Sequence, residues 1–275
     1  MSRLLYLFLS AHLLIAKPAV AADPPAALTV KVESVQVSAH VWYVRGHQGV
    51  ASAANQAFNS NAGFVVTPQG VIVIDALVWA HREARDYLES GEGAARLAQR
   101  QRDLAPWVGA DMRLVSPDRW LEGDSSFVFG GLHFDLVHMG PAHAPDDLVV
   151  VVREDGTLFS GDILFSGRIP FVGNADSRHW LATMDRLLAL KPKVMVPGHG
   201  AASRNPEKDL VFTRDYLHYL REKMGKAAEE MQPFDEAYAR TDWTRYANAP
   251  AFEAANRINA YGTYLLMERE LLERK

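Results

Sequence analysis

The stretch from Asn61 to Asp75 most limits what this chain can fold into. Asn61-Ala62-Gly63-Phe64-Val65-Val66-Thr67 and Val71-Ile72-Val73-Ile74-Asp75 are two short runs rich in β-branched residues. Pro68-Gln69-Gly70 stands between them and supplies turn chemistry. The runs read as neighbouring strands. The second is apolar at every position before Asp75, the pattern of a strand buried between layers.

The remaining sequence offers further strands and helices. Leu28–Val37 and His40–Val44 read as an opening pair of strands, and Phe127–Phe129, Leu132–Val137, Leu148–Val152 and Thr157–Phe165 as a later series. Gly130-Gly131 and Glu154-Asp155-Gly156 are turns between them. Ala80–Leu104 has helical spacing with breaks expected at Gly91 and Gly93, and Ser177–Leu190, Pro206–Met231 and Phe252–Leu272 read as longer helices. Strands and helices interleave with no low-complexity linker, so the class is α/β.

The N-terminus carries a different pattern. A short basic start with Arg3 precedes the apolar run Leu4–Ala16, and Ala19-Val20-Ala21 offers small residues at the two positions a signal peptidase reads. Residues 1–21 are therefore expected to be a signal peptide, with 22–275 a single domain destined for the periplasm or beyond. The apolar run is shorter than the roughly 20 residues needed to span a bilayer, so no stable membrane insertion is expected after cleavage. Removal of that segment leaves 27 basic against 33 acidic side chains and no Lys/Arg run, which argues against nucleic acid or anionic lipid as the main partner; a small-molecule substrate is expected if the chain is active. With no cysteine in the chain, disulfides are excluded and a transition-metal site must be built from His, Asp and Glu.

Three segments place such a side chain at the end of an apolar strand. They are His143 in Gly140-Pro141-Ala142-His143-Ala144-Pro145, Asp162 in Phe159-Ser160-Gly161-Asp162-Ile163, and His199 in Val196-Pro197-Gly198-His199-Gly200. Alone, each has an ordinary explanation as a loop histidine or a turn. His47, in Arg45-Gly46-His47-Gln48-Gly49, reads as a solvated loop residue. His81 reads as a surface residue at a helix start, and His138 as a hydrogen-bonding residue at the edge of the site. Trp107, Trp120, Phe171 and Trp180 could line a pocket, although such residues more often pack a core.

Taken in order, Thr67-Pro68-Gln69-Gly70, Val71-Ile72-Val73-Ile74-Asp75, Pro141-Ala142-His143, Leu158-Phe159-Ser160-Gly161-Asp162 and Val196-Pro197-Gly198-His199-Gly200 resemble the metallo-β-lactamase superfamily. The likeness runs from about residue 61 to 202 and is greatest to the exported quinoprotein relay system zinc metallohydrolases. It implies an αββα four-layer sandwich, one or two zinc ions, and a metal-activated water attacking a carbonyl or ester. It assigns His143 to the first zinc position, Asp162 as the bridge between two metals, and His199 to the second position.

One departure from the family is large. The principal metal motif of these proteins is His-x-His-x-Asp-His, following the strand that ends at Asp75. No two of the ten histidines here are spaced i, i+2. Asp75-Ala76-Leu77 runs straight into Val78-Trp79-Ala80-His81, as though one strand–helix–strand unit were missing between Leu77 and Val78. Either 71–80 becomes one long strand, or the sheet loses a member and leaves apolar surface uncovered. The sequence thus leaves three readings open: a zinc hydrolase, a non-catalytic relative binding through the same cleft, and a truncated product.

Overall fold

The computed structural model describes residues 29–74, 79–117, 119–173 and 175–273. The signal-peptide segment and the Leu77–Val78 junction lie outside the described residues.

Two sheets face each other. The first contains β1 (Ser34–Gln36), β2 (Val41–Val44), β3 (Ala62–Thr67) and β4 (Gly70–Ile74), all antiparallel and paired in chain order. The chain then leaves this sheet. β5 (Trp79–His81) pairs in parallel with β6 (Arg119–Leu121) as a separate two-stranded ribbon. A continuous strand over 71–80 is therefore not what forms: β4 and β5 belong to different sheets. The second main sheet holds β7 (Ser125–Phe129), β8 (Leu132–His138), β9 (Leu148–Val152), β10 (Thr157–Phe165) and β11 (Val194–His199). Its order is β11-β10-β9-β8-β7, with only β10 and β11 parallel. The helix α3 (Ser177–Ala189) supplies the crossover that a parallel pair requires.

Between the sheets lies one core, built from alternate residues of each strand. Val41, Tyr43 and Val65 come from the first sheet, and Phe134, Val150 and Val152 from the second. A larger core covers the opposite face of the second sheet. There α3, α4 (Pro206–Glu229) and α6 (Phe252–Glu273) pack Trp180, Met184, Tyr216 and Leu220 against Leu158 and Phe165. A short helix, α5 (Phe234–Arg240), joins the two long ones. Asp176 caps α3 by accepting from the Arg178 and His179 N–H groups, and Asn205 caps α4 ahead of Pro206.

Three sequence expectations change. Ala80–Leu104 is not one helix: β5 is followed by a 3-10 turn (Arg82–Ala84), α1 (Arg85–Glu89) and α2 (Glu92–Asp103). The break falls at Ser90-Gly91, where Gly91 has φ +85°, whereas Gly93 sits inside α2. His81 is 4% exposed, so it is a core residue and not a surface one. Its ring stacks on His138 with centroids 3.6 Å apart. Most telling is β4, which the apolar run placed between two layers. Val71 and Val73 are 56% and 55% exposed. They share the outer face of the first sheet with their cross-strand partners Val66 and Phe64.

Candidate functional site

The three sequence-selected residues meet where β10 and β11 end. The loop from Met139 to Asp147 carries His143 and is tied at its base, with the Met139 and Gly140 N–H groups both donating to Asp147 O. Within it, the Asp147 carboxylate accepts from the Ala144 N–H. The His143 ring stands edge-on to Trp180, with centroids 5.6 Å apart. Asp162 lies on β10 just past Gly161, whose φ of +52° accompanies a shift in register against β11. His199 closes β11 and stacks on Phe165 at 5.0 Å.

Asp162 is the meeting point. Its Oδ1 lies 3.4 Å from His199 Nε2, and its Oδ2 lies 3.9 Å from His143 Nε2. Burial opposes the charged form of Asp162. The hydrogen bond and charge of His199, with His143 and Arg168 close by, nevertheless hold its carboxyl below the ordinary carboxylate range. His199 Nδ1 sits 2.6 Å from Asn59 O. A carbonyl only accepts, so Nδ1 carries a proton toward Asn59, while Nε2 faces the Asp162 carboxylate.

Sequence reasoning passed over two residues here. Arg168 was read only as part of a family-like stretch, yet its side chain is fully buried. It donates to Gly49 O at 2.6 Å, and its Nη2 has no protein partner. Asn61 was read as the first residue of a strand, and it binds four backbone groups around the site. Neither role leaves a trace in periodicity, because both depend on where distant loops return. His138 does make the hydrogen bond expected of it, Nε2 to Pro145 O at 2.9 Å. His47 lies in an exposed loop with its ring 6.0 Å from that of Phe58.

Beside Asp162 opens a cavity of about 300 Å³, walled by Ile74, Phe159, Val196 and Pro197. None of Trp107, Trp120, Phe171 and Trp180 lines it. Trp180 is instead a core residue whose indole N–H donates to Ile163 O.

The donor set is short for zinc. A tetrahedral zinc with ligand bonds near 2.0–2.1 Å sets its donors about 3.3 Å apart and takes three or four of them from protein. The His199–Asp162 separation suits one edge of such a tetrahedron. His143, however, faces the other carboxylate oxygen, at 3.9 Å. An ion placed on either edge meets one imidazole and one carboxylate. Among the described residues, no group of three or more His, Asp or Glu side chains is arranged to hold a metal ion. The arrangement as it stands does not fit a catalytic zinc.

The family model for the metallo-beta-lactamase superfamily matches residues 78–199. The beta-lactamase-like protein 2 homolog of Drosophila melanogaster is 32% identical over 105 residues, covering 38% of this chain and 33% of that protein. The probable metallo-hydrolase YqgX of Bacillus subtilis is 25% identical over 154 residues, covering 53% of this chain and 64% of the relative. The chain thus spans between a third and just under two thirds of these relatives. The inverting sec-alkylsulfatase Pisa1 from Pseudomonas sp. superposes on 86% of this chain and 50% of its own, with a TM-score of 0.62 at 14% identity, a likeness of fold alone. With two facing sheets, His143, Asp162 and His199 converging at the strand ends, and these matches, the chain has the fold of the metallo-β-lactamase superfamily and matches its family model over residues 78–199.

Proposed function

We propose that this chain descends from exported zinc hydrolases and, as its sequence stands, keeps the sandwich and half of the site without holding a catalytic zinc. Hydrolysis is then strongly impaired, and what remains is a cleft able to bind a small molecule. The observation that carries this reading is the division of Asp162, with one oxygen facing His199 and the other facing His143. Two protein donors per position fall short of the three that catalytic zinc usually has, and of the site that makes a hydroxide from bound water. The absence of any His-x-His pair in the sequence points the same way. So does the outer face of β3 and β4, which leaves Val71 and Val73 in solvent where a covering helix would be needed. Export, with maturation after Ala21, belongs to the same proposal and rests on the Arg3, Leu4–Ala16 and Ala19–Ala21 pattern.

A competing reading has one observation in its favour. The 3.4 Å between His199 Nε2 and Asp162 Oδ1 matches a tetrahedral edge, so a rotation of His143 would complete a three-donor site around a single ion.

The test is zinc per chain on the mature protein, purified without added metal and then titrated, beside His143→Ala and His199→Ala. The expected result is no stably held zinc and no zinc-dependent turnover of β-lactam, thioester or phosphoester probes. One or two equivalents bound by the parent chain and lost in both variants would overturn the proposal in favour of an active hydrolase.

A further inference from the structure

We propose that Asn61 is the positioning residue of this site, fixing the His199 backbone and, through the Asn59 carbonyl, the proton on His199 Nδ1. The inference rests on the reading that His199 belongs to the functional cleft, and not on whether a metal is bound.

Asn61 is buried at the start of β3, and its side chain makes three hydrogen bonds. The Nδ2 group donates to Pro197 O at 2.8 Å and to Gly200 O at 2.9 Å, so both amide protons are used. Its backbone N–H donates to Gly198 O at 2.8 Å. The remaining carbonyl of the segment, His199 O, accepts from Ser166 N–H. Four consecutive carbonyls from Pro197 to Gly200 are therefore satisfied, three of them by Asn61. A four-residue turn pinned at every carbonyl has little freedom to rotate the side chain it carries.

The other end of the Asn61 side chain works on the ring. Its Oδ1 accepts from Gly46 N–H at 3.0 Å, closing the loop that leaves the first sheet at Gly46 and returns at Ser60. That loop delivers Asn59 O to within 2.6 Å of His199 Nδ1. The carbonyl that takes the Nδ1 proton thus lies two residues from the amide that fixes the backbone. With Nδ1 protonated, Nε2 is the atom left facing Asp162.

An ordinary buried asparagine would hold two loops together and do nothing more for His199. The two roles separate in Asn61→Asp, which keeps the shape but turns two donors into acceptors facing carbonyls. Chains labelled with ¹⁵N-histidine, metal-free and at fixed pH, report from the two nitrogen shifts which ring nitrogens are protonated, and His199→Ala assigns the signal. The expected parent pattern for His199 is a protonated Nδ1, donating to Asn59 O. In Asn61→Asp the Nδ1 shift is expected to move away from its protonated value. Asn256→Ala, which removes a buried asparagine between Tyr216 and Tyr238, should destabilise the chain and leave the His199 pattern unchanged. Should Asn61→Asp not fold, Asn61→Ser, which can donate to only one carbonyl, is read in the same way.

A folded Asn61→Asp or Asn61→Ser with the parent His199 pattern would overturn the proposal. So would Asn256→Ala altering His199 to the same degree. Because the readout needs neither zinc nor turnover, tight zinc binding would defeat the function proposed above without touching this result.

Discussion

Gly198 lies so close to Asp162 that a Cβ at this position would run into the carboxylate Oδ1, and into the Gly161–Asp162 backbone behind it. The glycine is there for space, because its own φ is not among the positive values that favour glycine. Gly198→Ala should therefore push Asp162 away from His199 and cost about 1–3 kcal/mol, the usual range for overpacking a tight site. Urea unfolding would measure it. Gly123→Ala, where a Cβ meets nothing within 4 Å, serves as the neutral comparison. The double variant with Asp162→Ala should recover part of the loss, since the clash and the carboxylate are coupled. Equal midpoints for Gly198→Ala and Gly123→Ala would show that the cleft yields where the geometry says it cannot.

Asp147 ties the His143 loop and is expected to make stability depend on pH. Burial pushes its carboxyl up to about 6, against the opposing pull of the Ala144 N–H and of His143. The folded chain then holds a proton that the unfolded chain, with the ordinary value of 3.8, has already lost. Stability from this group is complete below about 4 and falls as pH rises through 6. Asp147→Asn keeps an acceptor for Ala144 and cannot ionise. Its stability relative to the parent should grow from pH 4 to 6 and stay level above that. Parallel curves in urea at pH 4.5 and 6.5 would refute the assignment.

His81 should act in the opposite sense. Burial, together with the stacked ring of His138, lowers its pKa below the ordinary 6.5, while Glu83 and Asp146 pull weakly the other way. A histidine kept neutral in the fold contributes stability that is present above 6.5 and is lost as pH falls through that value. An NMR titration is expected to place the His81 midpoint below 6.5. His81→Gln should remove the loss on the acid side and expose the Asp147 slope alone. A midpoint at or above 6.5 would mean the ring finds a partner for its charge that the stack does not provide.

How much of this was legible in the sequence depended on how local each cause is. The β3–β4 hairpin, β9, β10 and α3 lie within a residue or two of where periodicity and turn residues put them, because neighbours in the chain decide them. His143, Asp162 and His199 stood out because a polar, metal-capable residue at the end of an apolar strand breaks the local pattern. His81 was misjudged because its exposure depends on His138, which lies far along the chain, and not on Arg82 and Glu83 beside it. Asn61 and Arg168 stayed hidden for a related reason: their partners are backbone groups, which every sequence has in equal supply. β4 gave the sharpest error. An all-apolar run states which faces the chain would bury, and only the layers present decide which faces are buried.

That error leads to a solution property. Val71 and Val73 form an exposed apolar ladder on β4 with Val66 and Phe64 opposite, and β4 ends the four-strand order of its sheet. An uncharged edge strand with an apolar face is a template for pairing with another chain. The protein is therefore expected to self-associate with rising concentration, as read by light scattering. Val73→Lys should suppress this and change unfolding free energy by less than about 0.5 kcal/mol, because it places a charge in solvent at an edge. Ile72→Lys, one residue earlier, turns inward toward the core between the sheets and should abolish folding instead. If both lysine variants behave alike, something covers the outer face of β4 in solution, and the first sheet has a partner layer after all.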